Sequence, residues 1–211
     1  MSLCALLERA DPRDALISNS GKPLESLPPA ARVGTTSLRR SSQIKALRPD
    51  LHVDDLRGNV DTRIRRLRER HYDAVMLAMA GLTRLGRTAE VTQVFEADAF
   101  VPAPGQGAIA LECRDGDADV RAAAALLHHE ATARAVTAER AFLAALGGGC
   151  NVPLGAYASL SADGLHLRAF VARPDGTTIL RGEARGEDAE EVGRRLAADL
   201  IVRGAGALVR P

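Results

Sequence analysis

Hydrophobic residues recur at helical spacing in two segments of the first half of the chain. The first segment predicts a helix that begins at Thr36 or Ser37, which are both good N-cap residues, and that ends before Pro49. The second predicts a helix with Asn59 as its N-cap. The apolar positions are Leu38, Ile44 and Leu47 in the first helix and Val60, Ile64 and Leu67 in the second.

Three apolar segments alternate with these helices and predict β-strands. They read ARVG, LHVDDLRG and YDAVMLAMAG, and the last is a continuous apolar run of the kind that buried parallel strands show. Strands that alternate with helices in this way are typical of an α/β domain with a mostly parallel sheet. We assign residues 12–100 to this domain.

The pattern changes after Phe95. Residues 101–121 are apolar, rich in glycine and poor in helix signals, which predicts extended chain with turns. Beyond them, an alanine-rich helical segment with a break near residues 128–130 precedes three strands with glycine-containing turns and a closing amphipathic helix. Residues 122–211 are therefore predicted to form a small α+β domain with a three-stranded antiparallel sheet.

The composition is that of a soluble globular protein. Of the 211 residues, 46% are hydrophobic and 26% are charged, and the formal net charge is +1. No apolar run is long enough to span a membrane, and the N-terminal residues lack the features of a secretory signal, so we expect a cytoplasmic protein without a membrane partner. Cys4, Cys113 and Cys150 lie far apart and fit neither a disulfide framework nor a zinc site, so we expect no metal.

The basic residues are mostly arginines, and many are concentrated in one part of the chain. Only Lys22 and Lys45 of the 28 basic residues are lysines, and between Arg32 and Arg70 eleven basic residues stand against five acidic ones. Arginine binds carboxylate and phosphate groups through two parallel hydrogen bonds. Part of this excess fits an ordinary solvated helix face, and the rest predicts an anionic partner.

Two anion-binding sites are predicted where a strand leads into a helix N-terminus, in the segments GTTSLRR and LRGNVDTR. Free backbone N–H groups and the positive end of the helix dipole meet there, at the carboxyl ends of the strands. Ordinary N-caps with surface arginines explain each segment equally well, but two such segments on consecutive units favour a polyanionic ligand. The candidate residues are Thr35, Thr36, Ser37, Arg39 and Arg40 in the first segment and Arg57 and Arg63 in the second.

Nucleic acid is the main alternative ligand. Only 3% of the residues are aromatic and none is tryptophan, so platforms for base stacking are scarce. The phosphate-loop pattern GxxxxGK[ST] is absent as well. We therefore expect no nucleic-acid partner, although the arginine-rich second helix could lie against phosphates.

The segment ALGGGCNVPLGAY places a cysteine after three glycines. Gly147 is expected just past the end of a helix, whereas Gly148 and Gly149 leave room for another group to approach the backbone. From spacing alone, Cys150 is more often a small buried hydrophobic residue than a reactive one.

Six segments in this order resemble the porphobilinogen deaminase family, also called hydroxymethylbilane synthases. The resemblance covers nearly the whole chain, including DPRDALIS near its start. It implies a transferase of tetrapyrrole (heme) biosynthesis that condenses four porphobilinogen molecules, with loss of ammonia, into hydroxymethylbilane. It also implies that the middle α/β domain is periplasmic-binding-protein-like. The segments are GTTSLRR, LRGNVDTR, YDAVMLAMAGLTRLG, PAPGQGAIALECR, HHEATARAVTAERAF and GGGCNVPLGAY.

The resemblance implies a role for each candidate residue. Cys150 would carry the family's dipyrromethane cofactor through a thioether bond. The hydroxyl and guanidinium groups would bind carboxylates of the cofactor and of porphobilinogen. The implied cofactor-binding residues are Thr35, Ser37, Arg39, Arg40, Arg57 and Arg63, and the implied substrate-binding residues are Arg57, Arg63 and Arg84.

The sequence departs from the family pattern at its start. The resemblance makes residues 1–11 a remnant of a first domain and residues 101–121 a segment that returns to it. We find neither the basic N-terminal motif of that domain nor its Lys-Asp-Val-Pro segment, which carries the family's catalytic aspartate. Asp54, Asp55 and Asp61 lie near the arginines, but nothing supports that role for any of them.

We therefore expect no catalytic residue in this chain and no activity of the chain alone. The full-length enzyme is expected to be a monomer. The truncated chain is expected to self-associate, because apolar residues such as Val101, Ile109 and Leu111 would be exposed or paired differently. The alternative is a non-catalytic module that binds carboxylates or a protein partner.

Overall fold

A computed structural model describes residues 1–147, 152–162 and 164–209. No helix in this part of the chain is long and apolar enough to cross a membrane. The strands are β1 (Ser2–Leu6), β2 (Asp14–Ser18), β3 (Arg32–Gly34), β4 (His52–Asp54), β5 (Ala74–Ala78), β6 (Gln93–Val94), β7 (Ala110–Cys113), β8 (Leu154–Ser161), β9 (Gly164–Ala172) and β10 (Ile179–Gly186). The α-helices are α1 (Leu38–Leu47), α2 (Val60–Arg68), α3 (Met79–Arg84), α4 (Ala118–Ala125), α5 (Glu130–Ala145), α6 (Ala189–Val202) and α7 (Ala205–Val209).

The first sheet has five strands in the order β4-β3-β5-β2-β6. Strand β3 runs parallel to β4 and β5, and helices α1 and α2 make the crossover connections that parallel strands require. Strand β2 is antiparallel to β5 and β6, so the sheet is mixed rather than mostly parallel. The prediction of parallel strands is correct for β3, β4 and β5. It did not include β2, which enters the sheet without a preceding crossover helix.

The five-stranded sheet is covered on both faces. Leu16 and Met76 point to one face, where they pack with Ile44 of α1. Their neighbours Ile17 and Val75 point to the other face. The residues that cover this second face include Ile64 and Leu67 of α2 and Leu82 near the end of α3. This arrangement holds the N-termini of α1 and α2 at the same end of the sheet, where the parallel strands β3 and β4 end.

The predicted third strand is shorter than its apolar run. It ends at Ala78, because the pairing partner of Ala78 is Asp14, the first residue of β2. The chain then turns into the short helix α3, which the sequence pattern did not predict. Leu82 of this helix is fully buried, which explains why the apolar run continues beyond the strand.

The second sheet is the predicted three-stranded antiparallel meander, in the order β10-β9-β8. Helices α5 and α6 pack on it, and Phe142, Leu167 and Leu196 lie in their common core. The predicted break before α5 is also confirmed, since α4 ends at Ala125 and α5 begins at Glu130. The short helix α7 was not predicted.

A separate two-stranded ribbon joins the start of the chain to the segment between the two larger sheets. Strand β1 pairs antiparallel with β7, and Cys4 and Cys113 form a disulfide bond with a Cα–Cα distance of 6.2 Å. The expectation of no disulfide is therefore wrong. Two cysteines separated by 109 residues become neighbours because their strands pair, which spacing in the sequence could not show.

Burial of the connecting segment is mixed. Val101 is almost fully buried against Phe170 and Ala172 of β9, so of the two expected outcomes, exposure or a different pairing, exposure is excluded. Ile109 is 40% exposed and Leu111 is partly exposed, as expected. The segment thus begins in the core between the two larger sheets and ends at the surface.

Candidate functional site

A cleft of about 630 Å³ lies where the three parts of the chain meet. Small-molecule sites usually have volumes of about 300–1,000 Å³. One wall is polar and comes from the ends of β3 and β4, and the other is apolar and comes from the connecting segment and the C-terminal domain. The lining residues are Thr36, Ser37, Arg39, Arg57, Gly58 and Arg63 on the polar side and Ala103, Pro104, Leu143, Val152 and Leu154 on the apolar side.

The N-terminus of α1 forms the first part of the polar wall. Ser37 is its N-cap, and the Ser37 side chain accepts a hydrogen bond from the backbone N–H of Arg40 at 3.4 Å. The buried Thr35 hydroxyl accepts a hydrogen bond from the backbone N–H of Ser37 at 3.2 Å. These contacts fix the turn that presents the positive end of the helix dipole to the cleft.

A fully buried carboxylate lies behind this helix end. Asp14 accepts two hydrogen bonds from Arg39, from Nη1 at 2.6 Å and from Nη2 at 3.1 Å. It also accepts one from Nε of Arg40 at 2.9 Å. Burial raises the pKa of Asp14, but the charges and hydrogen bonds of the two arginines more than offset this, so the pKa of Asp14 lies below its ordinary value.

Arg39 and Arg40 are both predicted site residues, and the structure places them differently. Arg39 lines the cleft, and its Nε is buried without a hydrogen-bond partner among the described residues. Arg40 does not line the cleft and donates to Asp14 and to the backbone oxygen of Met76. Burial lowers the pKa of Arg40, but an arginine remains charged. Two guanidinium groups thus share one carboxylate, which leaves one positive charge in excess beside the cleft.

The N-terminus of α2 forms the second part of the polar wall. Asn59 caps this helix by accepting a hydrogen bond from the backbone N–H of Thr62 at 2.9 Å. Gly58 precedes it with φ +115°, a conformation that favours glycine. Nε of Arg63 donates to the backbone oxygen of Gly58 at 2.8 Å, and burial lowers the pKa of Arg63. Arg57 lines the cleft from an exposed position, and none of the described residues is its hydrogen-bond or ion-pair partner.

Three predicted residues lie elsewhere relative to the cleft. Thr35 and Arg40 are buried behind the cleft wall, and Arg84 donates to the backbone oxygen of Gly107 at 3.1 Å from an exposed position. Cys150 lies outside the described residues. Val152, two residues further along the chain, lines the apolar wall.

No carboxylate is among the described residues that line the cleft. Two of the three aspartates near the arginines are held in ion pairs, Asp54 with Arg32 at 2.8 Å and Asp61 with Arg87 at 3.1 Å. Asp55 is exposed and does not line the cleft. Within the described ranges, no group of three or more His, Cys, Asp or Glu side chains could hold a metal ion.

Two buried acidic residues that sequence reasoning missed hold the connecting segment in place. Gln106 of this segment donates from Nε2 to Asp14 at 3.1 Å, and its Oε1 accepts from Nη2 of Arg39 at 3.2 Å. On the other side, Glu139 of α5 accepts from Arg9 at 2.6 Å and from the backbone N–H of Gly105 at 2.6 Å. The only signal in the sequence was the position of Asp14 at the start of the apolar stretch DALIS.

The donor set fits a ligand with several carboxylates and flat apolar rings. Arg57 and Arg63 supply charged donors on one side of the cleft. Pro104, Leu143 and the other apolar residues supply a surface for the rings on the opposite side. Arg57 is the clearest indication of an anionic ligand, because it lines the cleft and none of the described residues is its hydrogen-bond or ion-pair partner.

Fold and cleft together define an α/β protein with an arginine-lined cleft that an α+β domain closes on one side. Residues 1–122 match "Porphobilinogen deaminase, dipyromethane cofactor binding domain", and residues 133–202 match "Porphobilinogen deaminase, C-terminal domain". The chain belongs to the porphobilinogen deaminase family, whose members act in tetrapyrrole biosynthesis.

Curated relatives match along almost the whole chain. The porphobilinogen deaminase of Roseiflexus sp. (strain RS-1) is 51% identical over 211 residues, which cover 99% of this chain and 69% of the relative. That of Shouchella clausii (strain KSM-K16) is 49% identical over 210 residues, which cover 99% of this chain and 68% of the relative. Among solved structures, a putative methionine-binding lipoprotein from Bacillus subtilis matches 61% of each chain with 13% identity and a TM-score of 0.41, which is too distant to carry an argument.

Proposed function

We propose that the cleft holds a dipyrromethane cofactor tethered to Cys150 and the chain of porphobilinogen units that grows on it. The reaction is the stepwise deaminating condensation of four porphobilinogen molecules into hydroxymethylbilane. The observation that carries this proposal is that Arg57 and Arg63 line the cleft and that no carboxylate of the described residues pairs with either. When bound, the cofactor supplies the pyrrole carbon to which the first substrate is joined.

The arginines of the polar wall bind the acetate and propionate groups of cofactor and substrate. Arg57 is free to do so, because none of the described residues pairs with it. Arg63 keeps its Nη groups available, because its hydrogen bond to Gly58 uses Nε. The N-terminus of α1 adds backbone N–H donors and the Ser37 hydroxyl. Each condensation adds carboxylates, so several positive charges are required.

The apolar wall orients the rings and excludes water from one side of the site. Pro104 comes from the connecting segment, and Leu143 and Leu154 come from the C-terminal domain. Val152, the described residue nearest to Cys150 on its C-terminal side, belongs to the same wall, which supports a tether from this side of the cleft. Arg84, the third substrate-binding residue implied by the family resemblance, donates to Gly107 and does not line the cleft, so we do not include it among these arginines.

We propose that the chain of residues 1–211, tested alone, binds the ligand but does not catalyse the condensation. Condensation needs a group that moves protons at the pyrrole nitrogen and the leaving amine, and no carboxylate is among the described lining residues. General acid–base catalysis contributes typically about 10²–10⁴-fold. The same observation favours the second candidate, a module that binds carboxylates without a reaction.

Isothermal titration calorimetry of the purified chain with porphobilinogen tests the binding site. Arg57→Gln is expected to weaken binding about tenfold or more, since a hydrogen bond to a charged group contributes about 1.5–3 kcal/mol. Arg66→Gln is the matched control, because Arg66 is exposed on α2 and does not line the cleft. Equal affinities for the two variants would exclude this cleft as the site.

Two further measurements separate the enzyme from the binding module. The first is conversion of porphobilinogen by the chain alone and by the chain mixed with a separately produced first domain of a relative. Turnover only in the mixture supports the enzyme, and no turnover in either sample supports the binding module. The second is the intact mass of the protein from the preparation that shows turnover. We expect it to carry a two-pyrrole adduct, which Cys4→Ser should retain and Cys150→Ser should lack.

A further inference from the structure

We propose that Asp14 is a positioning residue for the anion site and acts through Arg39. Asp14 does not line the cleft, whereas Arg39 does. Asp14 would hold the guanidinium charge of Arg39 in a fixed place beside the cleft. This inference rests on the proposed function, because it assigns to Asp14 a part in binding the same ligand.

The contacts of Arg39 fix its guanidinium group within the protein. Nη1 donates to Asp14 at 2.6 Å and to the backbone oxygen of Val101 at 2.9 Å. Nη2 donates to Asp14 at 3.1 Å and to Oε1 of Gln106 at 3.2 Å. Nε alone has no partner among the described residues. Arg39 therefore acts on a ligand carboxylate through the fixed position of its charge rather than through a free N–H group.

Other residues hold the acceptors of this guanidinium in place. Gln43 donates to the backbone oxygen of Val101 at 3.2 Å, and its Oε1 accepts from the Val101 N–H at 2.8 Å. Gln106 contacts both partners of the central ion pair, because it donates to Asp14 and accepts from Arg39. The orientation of Arg39 is thus fixed from the sheet, from α1 and from the connecting segment.

Charge and geometry make opposite predictions for the loss of the Asp14 carboxylate. Asp14 is a negative charge close to a site for an anion, so its removal raises the positive potential there. If only this potential mattered, the ligand would bind more tightly. If the orientation of Arg39 matters, the ligand would bind more weakly, because the guanidinium loses its bidentate anchor and Arg39 and Arg40 repel each other.

The experiment compares porphobilinogen binding to the full chain with Asp14 and with Asp14→Asn, by isothermal titration calorimetry. We expect affinity to fall about tenfold in the folded variant, because the charge of Arg39 no longer has a fixed place beside the ligand carboxylates. Glu112→Gln is the matched control, since it removes one negative charge from an exposed position on β7. Unchanged or tighter binding by Asp14→Asn would overturn the proposal.

A second readout does not depend on ligand binding. In a ¹H–¹⁵N spectrum, the side-chain Nε–H signal of Arg39, assigned by its loss in Arg39→Lys, should be sharp and protected from exchange in the unliganded chain. Asp14→Asn should broaden it or remove it by exchange. If the wild-type chain shows this protection but does not bind porphobilinogen, the proposed function fails and the held orientation of Arg39 stands. A signal that is identical in both proteins would disprove the orienting role itself.

Gln106→Met provides the same test with less risk to folding, because Gln106 is only partly buried and uncharged. This variant removes the side-chain hydrogen bonds of Gln106 to Asp14, to Arg39 and to the backbone oxygen of Pro12, and it leaves the ion pair in place. We expect weaker porphobilinogen binding and faster exchange of the Arg39 Nε–H, each by less than in Asp14→Asn. No change in either measurement would count against the proposal even if Asp14→Asn does not fold.

Discussion

Asp14 and Arg39 are joined by two hydrogen bonds, of 2.6 and 3.1 Å, between side chains that are almost fully buried. A buried ion pair contributes little relative to a well-packed apolar pair, but the loss of one partner is costly because the other charge stays buried. Here one carboxylate serves two guanidinium groups, since Arg40 uses it as well. The charge balance in this cluster of Asp14, Arg39 and Arg40 therefore depends on Asp14 more than on either arginine.

Replacement of Asp14 by asparagine should lower the free energy of unfolding by about 3–5 kcal/mol, the range for a broken buried pair. Urea unfolding followed by circular dichroism measures the loss. Asp55→Asn is the control and should change the free energy of unfolding by less than about 0.5 kcal/mol, because Asp55 is exposed. Equal stability of the two variants would contradict the role of the cluster in the fold.

The stabilisation from Asp14 should disappear in acid. Its pKa is below the ordinary value in the folded chain, so the folded state releases the proton more readily than the unfolded state. The contribution is therefore fully present above about pH 4 and is lost as the pH falls further. Unfolding free energies of wild type and Asp14→Asn, measured between pH 2 and pH 6, should converge toward the acid end. Parallel curves would show that the pKa of Asp14 is not lowered.

Glu139 should be important for the connection between the C-terminal domain and the connecting segment. It is fully buried and accepts hydrogen bonds from Arg9, from the Gly105 N–H and from the Ala158 N–H. Glu139→Gln should cost about 3 kcal/mol or more of unfolding free energy, since it leaves the Arg9 charge largely buried without a counter-charge. Thermal unfolding measures the effect, and Glu8→Gln, at an exposed position, should leave the midpoint unchanged.

The disulfide bond determines how many free thiols the unreduced chain should contain. Chain free of cofactor and purified without reductant should have one free thiol of three when denatured, because Cys4 and Cys113 are joined. Titration with Ellman's reagent before and after reduction measures this number. Reduction should also lower the free energy of unfolding, by up to about 4–5 kcal/mol for a loop of this length. Three free thiols in the unreduced chain would disprove the bond.

The surface around the β1–β7 ribbon should cause concentration-dependent self-association. Large apolar side chains are exposed in or close to the ribbon, among them Leu3 and Ile109. Sedimentation velocity should show larger species as the concentration rises, and Ile109→Gln should reduce them. Val202→Gln is the control, because Val202 is also exposed but lies on α6. A monomer at all concentrations would mean that these side chains do not form an interface.

The parts of the molecule that follow from local chemistry were predictable from the sequence. Asn59 was expected as an N-cap and Ser37 was one of two candidates beside Thr36, and each of Asn59 and Ser37 accepts a hydrogen bond from a backbone N–H three residues later. A cap and its helix lie within a few residues of each other, so the sequence pattern contains both. The same holds for the turns of the three-stranded meander and for the break before α5.

The rest depends on contacts between distant parts of the chain. The arginines of GTTSLRR suggested an anion site, but the sequence could not show that Arg40 faces a carboxylate 26 positions away while Arg39 lines the cleft. The links from Gln106 to Asp14 and from Cys4 to Cys113 span 92 and 109 residues. Such pairs are set by how strands and segments pack, and no local pattern records them. The roles of the site residues themselves stay predictions.

The bond between Cys4 and Cys113 also decides how the molecule would carry a mechanical load. The whole five-stranded sheet lies within the covalent ring that this bond closes, while the first three residues and everything after residue 113 lie outside it. A force applied between the two ends of the oxidised chain passes from Cys4 directly to Cys113 and bypasses the sheet. The α/β domain, which carries the arginines, would keep its shape under tension while the C-terminal domain extends, and only in the reduced chain would the pull reach it.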